Sequence, residues 1–390
     1  MSGQIGGRRL TNLTELEIAA IGCGVNVADG HARQELTSSQ RKIVNRLPGL
    51  FAEAATASAA GLDWRAQQAY LSAVGQHTAM TGSEVLTCYS SSVALEILGR
   101  SAYAAGIRRV AIIHPTFDNI PDLMRGVGMV LQPVSEEALT DGTAALPAGT
   151  ELLLVTTPNN PTGAVLAADA LAHWARACAA SGVILVLDTS FRGFDERAQY
   201  DHYAVLAEQG CRYVVIEDTG KLWPTLDLKA GFLVFPRGDE LPVRRVYTDL
   251  LLGISPMILL LIHEFAADAA AGGFGELRQF IAANRGLLRR KLATCAPISF
   301  PDAGSRISVE RIRVPAGTTG TGLWQALRDD GVHVLPCRQF HWADPDAGDR
   351  FVRVALSRPP EDIGTVAAAI RAQVGSGLSA TRRPGASVSA

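Results

Sequence analysis

The sequence predicts an α/β fold, with a mostly parallel central sheet in a large domain followed by a smaller α+β domain. Two observations predict it. Short apolar runs rich in β-branched residues recur along the chain, and longer alanine-rich segments with helical spacing lie between them. Such βαβ alternation gives parallel strands that are covered by helices on both faces. Ligands of these sheets bind beyond the carboxyl ends of the strands, so polar residues at those ends are the first candidates for function.

The strands of the large domain are predicted from the runs "RRVAIIH", "ELLLVTTP", "GVILVLDTS", "RYVVIEDT" and "GFLVFP". The segment "AADALAHWARACAAS" between two of these runs has helical spacing. After about residue 285 the pattern changes to "RISVERIRV", "TGLWQALRDDGVHVLP" and "DRFVRVALS", which predicts the smaller unit. We therefore divide the chain into an N-terminal segment (1–45), a large domain (46–285), a small domain (286–374) and a disordered tail (375–390).

The composition is that of a globular enzyme. Of the 390 residues, 47% are hydrophobic and 19% are charged, and a net charge of only -2 provides no basic surface for a nucleic acid. The N-terminus lacks the apolar core of a signal peptide, and the most apolar segment, "LLLGISPMILLLIHEF", is interrupted by Gly253 and Pro256. The cysteines form no CxxC pair and no metal-ligand cluster. We expect a cytoplasmic protein with reduced thiols and with no membrane, nucleic-acid or metal partner.

Polar motifs follow the predicted strands in a fixed order. "TTPNNPTG" contains Asn160, "LDTSF" contains Asp188, "EDTGKLWPTLDLKAG" contains Lys221 and Lys229, and "RVALSR" contains Arg353. A strand-end lysine alone is most often a solvated surface charge. In order and rough spacing, however, these motifs resemble the pyridoxal-phosphate (PLP) enzymes of the aspartate aminotransferase fold, over roughly residues 80–360.

This resemblance implies a site for PLP. Lys221 would bind the cofactor aldehyde covalently and later remove the α-proton of the substrate. Asp188, with Ser190 nearby, would keep the pyridine nitrogen protonated; a solvated strand-end aspartate is the alternative. Asn160 would bond the phenolic oxygen of the ring. Phe117 would stack on the ring, although an aromatic residue here is also compatible with ordinary core packing.

The cofactor phosphate would lie at the motif "TCYSSSVALEIL", where a hydroxyl-rich loop opens a helix at about Val93. A helix N-terminus favours an anion, and a plain serine N-cap is the alternative interpretation. Lys229 stands where the resembled enzymes usually have a phosphate-binding arginine. The donors that the loop would supply come from three consecutive residues: Ser90, Ser91 and Ser92.

On the substrate side, Arg353 would bind the α-carboxylate through two parallel hydrogen bonds, with a surface arginine on an edge strand as the alternative. Two positions depart from the usual site. Phe191 stands where most aminotransferases of this fold have a tyrosine, and Asp218 lies where serines precede the lysine. The fold alone does not specify the reaction, because this scaffold supports transamination, decarboxylation and elimination.

A narrower resemblance suggests the reaction. "NLTELE", "NVADGHARQEL", "HPTFDNI", "LDTSFRGFD" and "PCRQFHWA", together with the serine and lysine motifs above, resemble the PLP-dependent L-arginine oxidase/hydroxylases that make nonproteinogenic amino acids such as enduracididine for antibiotic biosynthesis. The resemblance implies oxidation of L-arginine by dioxygen, without metal or flavin. The products would be 4-hydroxy-2-oxo-5-guanidinovalerate and 2-oxo-5-guanidinovalerate, with ammonia and hydrogen peroxide.

The same resemblance places the N-terminal segment over the active site. Thr14, Glu17 and Asp218 would accept hydrogen bonds from the substrate guanidinium. Alternatively, "NLTELE" starts a helix with Thr14 as N-cap and Glu17 completing a capping box. His31 would transfer a proton to or from water at the substrate γ-carbon, or would be a structural histidine.

Two other functions stay open at this point. A conventional aminotransferase acting on arginine or a related basic amino acid would use the same lysine and arginine but would need a second substrate. A non-catalytic regulator of this fold would carry an added DNA-binding domain, for which no basic helix-turn-helix pattern is present. We expect a homodimer, possibly a dimer of dimers, because the resembled enzymes build each active site from two chains.

Overall fold

In a computed structural model of the chain, the described residues are 4–5, 8–9, 11–143, 145–295 and 298–375. The tail predicted over 375–390 lies outside the described residues except for its first residue.

Helices surround the sheet, and several begin at caps that the sequence supplies. Thr37 and Gln40 form a capping box, and Ser90 accepts a hydrogen bond from the backbone N–H of Val93 at 3.3 Å. The helices of the described residues are α1 (Leu13–Ala20), α2 (Ser38–Asn45), α3 (Leu47–Thr56), α4 (Ala59–Ala73), α5 (Ala79–Gly82), α6 (Ser91–Ala104), α7 (Asn119–Gly126), α8 (Glu136–Thr140), α9 (Ala168–Ser181), α10 (His202–Glu208), α11 (Val243–Leu250), α12 (Pro256–Asp268), α13 (Phe274–Leu292), α14 (Gly320–Asp329), α15 (Pro345–Gly348) and α16 (Pro360–Gly375).

The strands form one large sheet and several small ones. Those of the described residues are β1 (Gln4–Ile5), β2 (Arg8–Arg9), β3 (Val25–Asn26), β4 (Ser83–Cys88), β5 (Arg109–His114), β6 (Val130–Ser135), β7 (Leu152–Thr156), β8 (Ile184–Asp188), β9 (Tyr213–Asp218), β10 (Gly231–Pro236), β11 (Val309–Arg313), β12 (Val332–His333), β13 (Leu335–Pro336) and β14 (Phe351–Ala355).

The large sheet has the order β4-β10-β9-β8-β7-β5-β6. Strand β10 is antiparallel to both of its neighbours, and the remaining pairs are parallel. Every strand predicted from an apolar run of the large domain lies in this sheet, so the predicted mostly parallel α/β fold is confirmed. The edge strands β4 and β6 are not among the predicted runs, because both contain polar residues and β6 also contains Pro133.

Successive residues of the central strands pack into two separate cores, one on each face of the sheet. Leu153 and Val155 of β7 belong to one core, and Leu152 and Leu154 belong to the other. All four side chains are at most 1% exposed. A strand that is covered on both faces must be apolar throughout, which explains why the sequence predicts it as a continuous run.

Three neighbouring strands end in polar residues at one edge of this sheet. Strand β7 ends at Thr156, β8 at Asp188 and β9 at Asp218. Thr156 and Asp188 face each other in the ladder, and Gly231 faces Asp218. The register therefore brings the predicted strand-end motifs side by side.

The C-terminal unit contains an antiparallel sheet in the order β11-β14-β13. The N-terminal segment is joined to this unit: β3 pairs in parallel with β12, and the backbone N–H of Ala355 donates to the carbonyl of Val27 at 2.8 Å. Residues near the N-terminus are thus fixed by strands near the other end of the chain.

Helix α1 begins at Leu13, with Asn12 as its N-cap. The Asn12 side chain accepts from the backbone N–H of Glu15 at 2.8 Å. The alternative interpretation, with Thr14 as N-cap and Glu17 in a capping box, is wrong, because both residues lie inside the helix. Asparagine at position 12 is a strong cap and starts the helix earlier.

The run Pro256–Leu292 has 37 residues and includes α12, a π-helical turn (Ala269–Gly273) and α13. By length and composition alone it is apolar enough to cross a membrane. However, 44% of its most apolar window is buried, and Gly272 has a φ of 127° that breaks the regular helix. Because α12 also packs on α3 and α4, we assign this run to the core of a soluble protein. The predicted boundary at residue 285 falls within α13.

Candidate active site

One cavity at the carboxyl edge of the large sheet brings the predicted site residues together. Strand ends supply its floor, the start of α6 supplies one wall, and α1 with the following loop supplies another. It is lined by Thr14, Glu17, His31, Ser90, Ser91, Ser92, Phe117, Asn160, Asp188, Ser190, Asp218, Lys221, Lys229 and Arg353, and by Phe191, the residue at the usual tyrosine position. It is also lined by residues that the sequence reasoning did not place there, among them Gly30, Asn119 and Thr156.

Lys221 lies three residues after the end of β9, between the large sheet and the N-terminal segment. Its Nζ is 6.0 Å from the centroid of the Phe191 ring. On the other side, a Cβ added to Gly30 would lie 3.7 Å from the Cδ and Cε atoms of the lysine. The N-terminal segment is therefore in close reach of the lysine that is predicted to react.

Asp188 is a buried carboxylate at the end of β8, with 5% exposure. Its Oδ1 atom accepts hydrogen bonds from the backbone N–H and the Oγ of Ser190, at 3.0 and 2.6 Å. Burial raises the pKa of Asp188 from 3.8 to about 6, although the bonds from Ser190 and the charge of Lys221 act in the opposite direction. A protonated pyridine nitrogen would supply the cationic partner that this carboxylate needs, so the site fits PLP at this end.

The side chain of Asp218, at the end of β9, contacts the start of α6, where the cofactor phosphate is predicted to bind. The backbone N–H of Ser91 donates to Asp218 Oδ2 at 2.8 Å. Helix α6 begins at Ser91, two residues before the predicted start near Val93, because Ser90 is its N-cap. Amide donors, hydroxyl groups and Lys229 thus surround an anion site that already holds one carboxylate, and these donors fit a phosphate group.

Arg353 is 1% exposed and binds several acceptors across the cavity. Its Nη2 donates to Glu17 Oε1 at 2.9 Å and to the carbonyl of Ala28 at 2.6 Å. Its Nη1 donates to Asn160 Oδ1 at 3.2 Å, and its buried Nε has no hydrogen-bond partner among the described residues. The arrangement suits a carboxylate ligand, and Glu17 supplies that carboxylate here.

Phe117 lies beside the ring of Phe340, with the two ring centroids 5.6 Å apart and the rings nearly perpendicular. The guanidinium carbon of Arg353 is 5.2 Å from the Phe340 centroid. An aromatic wall thus connects the predicted stacking residue to the predicted carboxylate site.

His31 lies between two charged groups. Its Nε2 accepts a hydrogen bond from Lys229 Nζ at 3.1 Å, and its Nδ1 is 3.4 Å from Asp29 Oδ1. Asp29 is in turn paired with Arg358. The sequence reasoning missed Asp29 and Arg358, although the motifs "ADGHAR" and "RVALSR" contain them. A charged residue inside a motif that must be buried was the available signal, because buried charges need partners.

The chain matches the model of the aminotransferase class I and II family over residues 22–370. It belongs to that family. With the cavity described above, it is an enzyme of the PLP-dependent, aspartate aminotransferase-like kind, as the sequence motifs predict.

Particular relatives refine this assignment. The chain is 31% identical over 140 residues to a threonine-phosphate decarboxylase of Sinorhizobium sp, and 27% identical over 236 residues to the valine–pyruvate aminotransferase of Mycobacterium tuberculosis. These alignments cover 36% and 54% of this chain, and only 39% and 54% of those proteins. The solved structure of MppP soaked with the product 2-ketoarginine is 54% identical, with a TM-score of 0.86, and the match covers 90% of this chain and 99% of that one.

Proposed function

We propose that this protein oxidises L-arginine with PLP and dioxygen, and that it serves the biosynthesis of a specialised metabolite. The products are 4-hydroxy-2-oxo-5-guanidinovalerate and 2-oxo-5-guanidinovalerate, with ammonia and hydrogen peroxide. The observation that carries the proposal is the 54% identity to MppP over 90% of the chain. In addition, every residue of the predicted arginine site lines one cavity.

The residues that would hold PLP lie at both ends of the cavity. Asp188 would bind the ring nitrogen, Asn160 the phenolic oxygen, and Phe117 a face of the ring. The serines at the start of α6 and Lys229 would bind the phosphate. When bound, the cofactor provides an electron sink for the carbon that loses its proton. Lys221 would hold the cofactor and remove the proton from the substrate α-carbon.

Arg353 would bind the substrate α-carboxylate. Its guanidinium is buried at 1% exposure and has an unpartnered Nε among the described residues, so a two-oxygen ligand adds a hydrogen bond that Glu17 does not provide. Binding in this way requires Glu17 to leave Arg353. The released carboxylate is then available to the other end of the same substrate.

The substrate guanidinium would be bound by Thr14, Glu17 and Asp218. All three line the same cavity as Lys221 and Arg353. Two carboxylates and a hydroxyl supply the acceptors that a planar guanidinium requires in a site that excludes water. Lysine or a neutral amino acid would satisfy this set less well.

His31 would accept a proton from water as the water oxygen bonds to the γ-carbon. The stoichiometry balances for both products. Arginine, one dioxygen and one water give the 2-oxo acid, ammonia and one hydrogen peroxide. The hydroxylated product takes a second dioxygen and a second water and releases a second hydrogen peroxide. Dioxygen is thus the oxidant in the formation of both products.

The protein would act as a cytoplasmic homodimer, possibly a dimer of dimers. Support for self-association comes from apolar side chains left on the surface: Leu226 is 93% exposed in the loop between the two cavity lysines, and Leu252 is fully exposed. The loop of Leu226 connects two residues that line the cavity, so a partner chain that buries this side chain would also lie beside the cavity.

The experiment is to incubate the purified holoprotein with L-arginine in air, without a keto acid, while following dioxygen, peroxide, ammonia and product masses. We expect arginine consumption with both 2-oxo products. Lys221→Ala should lose the visible absorbance of the bound cofactor and all turnover. Normal arginine oxidation by Lys221→Ala would overturn the assignment of that lysine.

A conventional aminotransferase acting on arginine or a related basic amino acid is the second candidate, because the family model and the similarity to a valine–pyruvate aminotransferase favour it. Such an enzyme would leave arginine unchanged in air until a keto acid is added. Consumption of arginine that depends on the keto acid and not on dioxygen would select it over oxidation.

A further inference from the structure

We propose that Asp29 is a positioning residue for His31, and that Arg358 fixes the loop that carries both. The inference rests on the proposed function for the role of His31 in hydroxylation. It concerns two buried charged residues for which neither the cofactor nor the substrate provides a use: Asp29 and Arg358 are each 1% exposed.

Asp29 is surrounded by donors and is held in one orientation. Its Oδ2 accepts from the Nδ2 of Asn26 at 2.8 Å, and its Oδ1 lies 3.1 Å from the Nη2 of Arg358. The partly exposed Arg33 pairs with Oδ2 at 3.2 Å. Burial alone would raise the pKa of Asp29, but the neighbouring His31 side chain and the charges of Arg358 and Arg33 hold it well below its usual 3.8. Asp29 is therefore an anion at every pH at which the enzyme would work.

The contacts of His31 determine which ring nitrogen carries the proton. An ammonium group has no acceptor, so Lys229 Nζ must donate to His31 Nε2 across their 3.1 Å contact. In the neutral ring, Nε2 is then unprotonated and the hydrogen lies on Nδ1. That nitrogen faces Asp29 Oδ1 at 3.4 Å and has no hydrogen-bond partner among the described residues. A small approach of Asp29 completes the bond.

Arg358 holds the loop through its backbone. Its Nε donates to the carbonyl of Asn26 at 2.6 Å, its Nη1 to that of His31 at 2.8 Å, and its Nη2 to that of Asp29 at 2.7 Å. Arg358 follows β14, the strand that carries Arg353. One strand segment therefore fixes both the carboxylate site and the histidine, and so sets the distance between them.

This arrangement gives the histidine a defined direction of proton transfer. As the water oxygen bonds to the γ-carbon of the oxidised, unsaturated substrate, the π bond at that carbon breaks and its electron pair moves along the conjugated substrate toward the α-carbon. The water proton passes to Nε2, and Asp29 stabilises the charged ring from the Nδ1 side. Charged groups face the ring from both sides: Asp29, with Arg33 and Arg358 behind it, at Nδ1, and Lys229 and Asp227 at Nε2. A phosphate that binds Lys229 would release Nε2 to act as the base.

The test compares holoprotein variants by the ratio of hydroxylated to non-hydroxylated product at equal dioxygen uptake. Asp29→Asn should keep oxidising arginine but lower this ratio by about tenfold or more, as loss of an orienting carboxylate does elsewhere. The pH profile of the remaining ratio should move to lower pH, because the charged ring has lost its anionic partner. Arg33→Ala, which removes a partner of Asp29 on the solvent side, is the matched control and should keep the parent ratio.

A second measurement does not depend on turnover. Nitrogen NMR of protein labelled in histidine, with the His31 signal assigned by its loss in His31→Ala, should show the Nδ1-protonated form in the parent and a mixture in Asp29→Asn. A parent signal from the Nε2-protonated form would overturn the inference, even if the protein does not oxidise arginine at all.

The outcomes also separate the inference from the proposed function. If His31→Ala shifts the product ratio and Asp29→Asn does not, the role of Asp29 is wrong and that of His31 stands. If neither variant shifts the ratio, both roles are wrong. If Arg33→Ala lowers the ratio as far as Asp29→Asn does, the effect is a general loosening of the loop and the specific role of Asp29 is contradicted.

Discussion

Individual charged side chains decide what this cavity can hold. Arg353 binds a carboxylate. The pKa of the buried Asp188 is raised to about 6, so the positive charge of Lys221 does not fully offset the effect of burial. Glu17 is bound to Arg353 and also lines the cavity together with Asp218 and Thr14. It therefore belongs both to the carboxylate site and to the set of acceptors predicted for a guanidinium. A substrate with a carboxylate at one end and a guanidinium at the other would satisfy Arg353 together with the acceptors Glu17, Asp218 and Thr14, and would leave Asp188 to the cofactor.

The first prediction at this scale concerns Glu17. Loss of one buried acceptor for a charged donor costs about 1.5–3 kcal/mol, so Glu17→Ala should weaken arginine binding roughly 10- to 150-fold. Norvaline, which has the carboxylate but no guanidinium, should bind Glu17→Ala more tightly than the parent, because Arg353 is then unoccupied. Both affinities are measured from the change in cofactor absorbance as each ligand is added. Before ligand is added, the absorbance of Glu17→Ala should match that of the parent.

Glu15 provides the control, since it lies on the same helix but bonds Thr11 at the helix start. Glu15→Ala should bind arginine like the parent. Equal arginine affinity in Glu17→Ala and the parent would return Glu17 to a purely structural role.

The sequence was sufficient to predict many of the residues that line the cavity, because each of these ends a strand, starts a helix or belongs to a recognisable motif, but it did not indicate Gly30 or Asn119. It was not sufficient for their partners. Arg353 and Glu17 are 336 positions apart, and Arg358 and Asp29 are 329 apart. Such pairs depend on how the chain ends meet, and no local pattern of hydrophobic spacing records that meeting.

At the scale of secondary structure, α1 depends on a buried carboxylate outside it. The backbone N–H of Leu13 donates to Asp118 Oδ2 at 2.8 Å, and Asp118 is 4% exposed. Burial raises the pKa of Asp118 from 3.8 to about 7, with a further contribution from the charges of Asp122 and Glu17. The start of the helix that carries Glu17 is therefore bonded to a group that titrates near neutral pH.

This gives a prediction about stability and pH. Because the folded-state pKa of Asp118 lies above its unfolded value of 3.8, its stabilising contribution is fully present below about pH 4 and is lost as the pH rises through about 7. Asp118→Asn cannot titrate. The free energy of unfolding of the variant, relative to the parent, should therefore increase by about 1–4 kcal/mol between pH 4 and pH 8. Urea unfolding at each pH measures it, and a constant difference would contradict the assignment.

Elements were predictable to different degrees for a physical reason. The central strands β7, β8 and β9 are buried along their whole length, so their sequences are continuous apolar runs. The edge strand β6 is half exposed and contains polar residues, and its sequence does not distinguish it from a loop. The start of α1 was misassigned by two residues, because Asn12 and Thr14 are both acceptable caps and only tertiary contacts select between them.

At the scale of the whole molecule, the loop between the two cavity lysines carries an exposed leucine. Leu226 is 93% exposed and has a φ of 54°, a left-handed conformation that is unusual for leucine. Its loop connects Lys221 to Lys229. A second chain that covers this loop would remove the apolar side chain from water and close the cavity at the same time.

We therefore predict that Leu226→Glu weakens the proposed homodimer by at least about tenfold in Kd, from the loss of apolar burial in each chain. Val130→Glu is the control, because Val130 is 60% exposed but lies on β6, the outermost strand at the far edge of the sheet. Sedimentation over a range of concentrations measures both. Identical sedimentation of Leu226→Glu and the parent would exclude this loop from the interface.

The pairing of β3 with β12 and the bonds from Arg358 have a consequence for kinetics. Lys221, which is proposed to remove the α-proton, follows β9 of the large sheet, whereas the loop of His31 is tied to the C-terminal strands. Under the proposed function, the first oxidation and the later addition of water would thus depend on residues that are held by two different sheets. The ratio of the two products would then depend on how the two sheets are positioned relative to each other when water adds to the substrate. A substitution that contacts neither substrate nor cofactor could therefore change the product ratio while leaving the rate of the first oxidation unchanged.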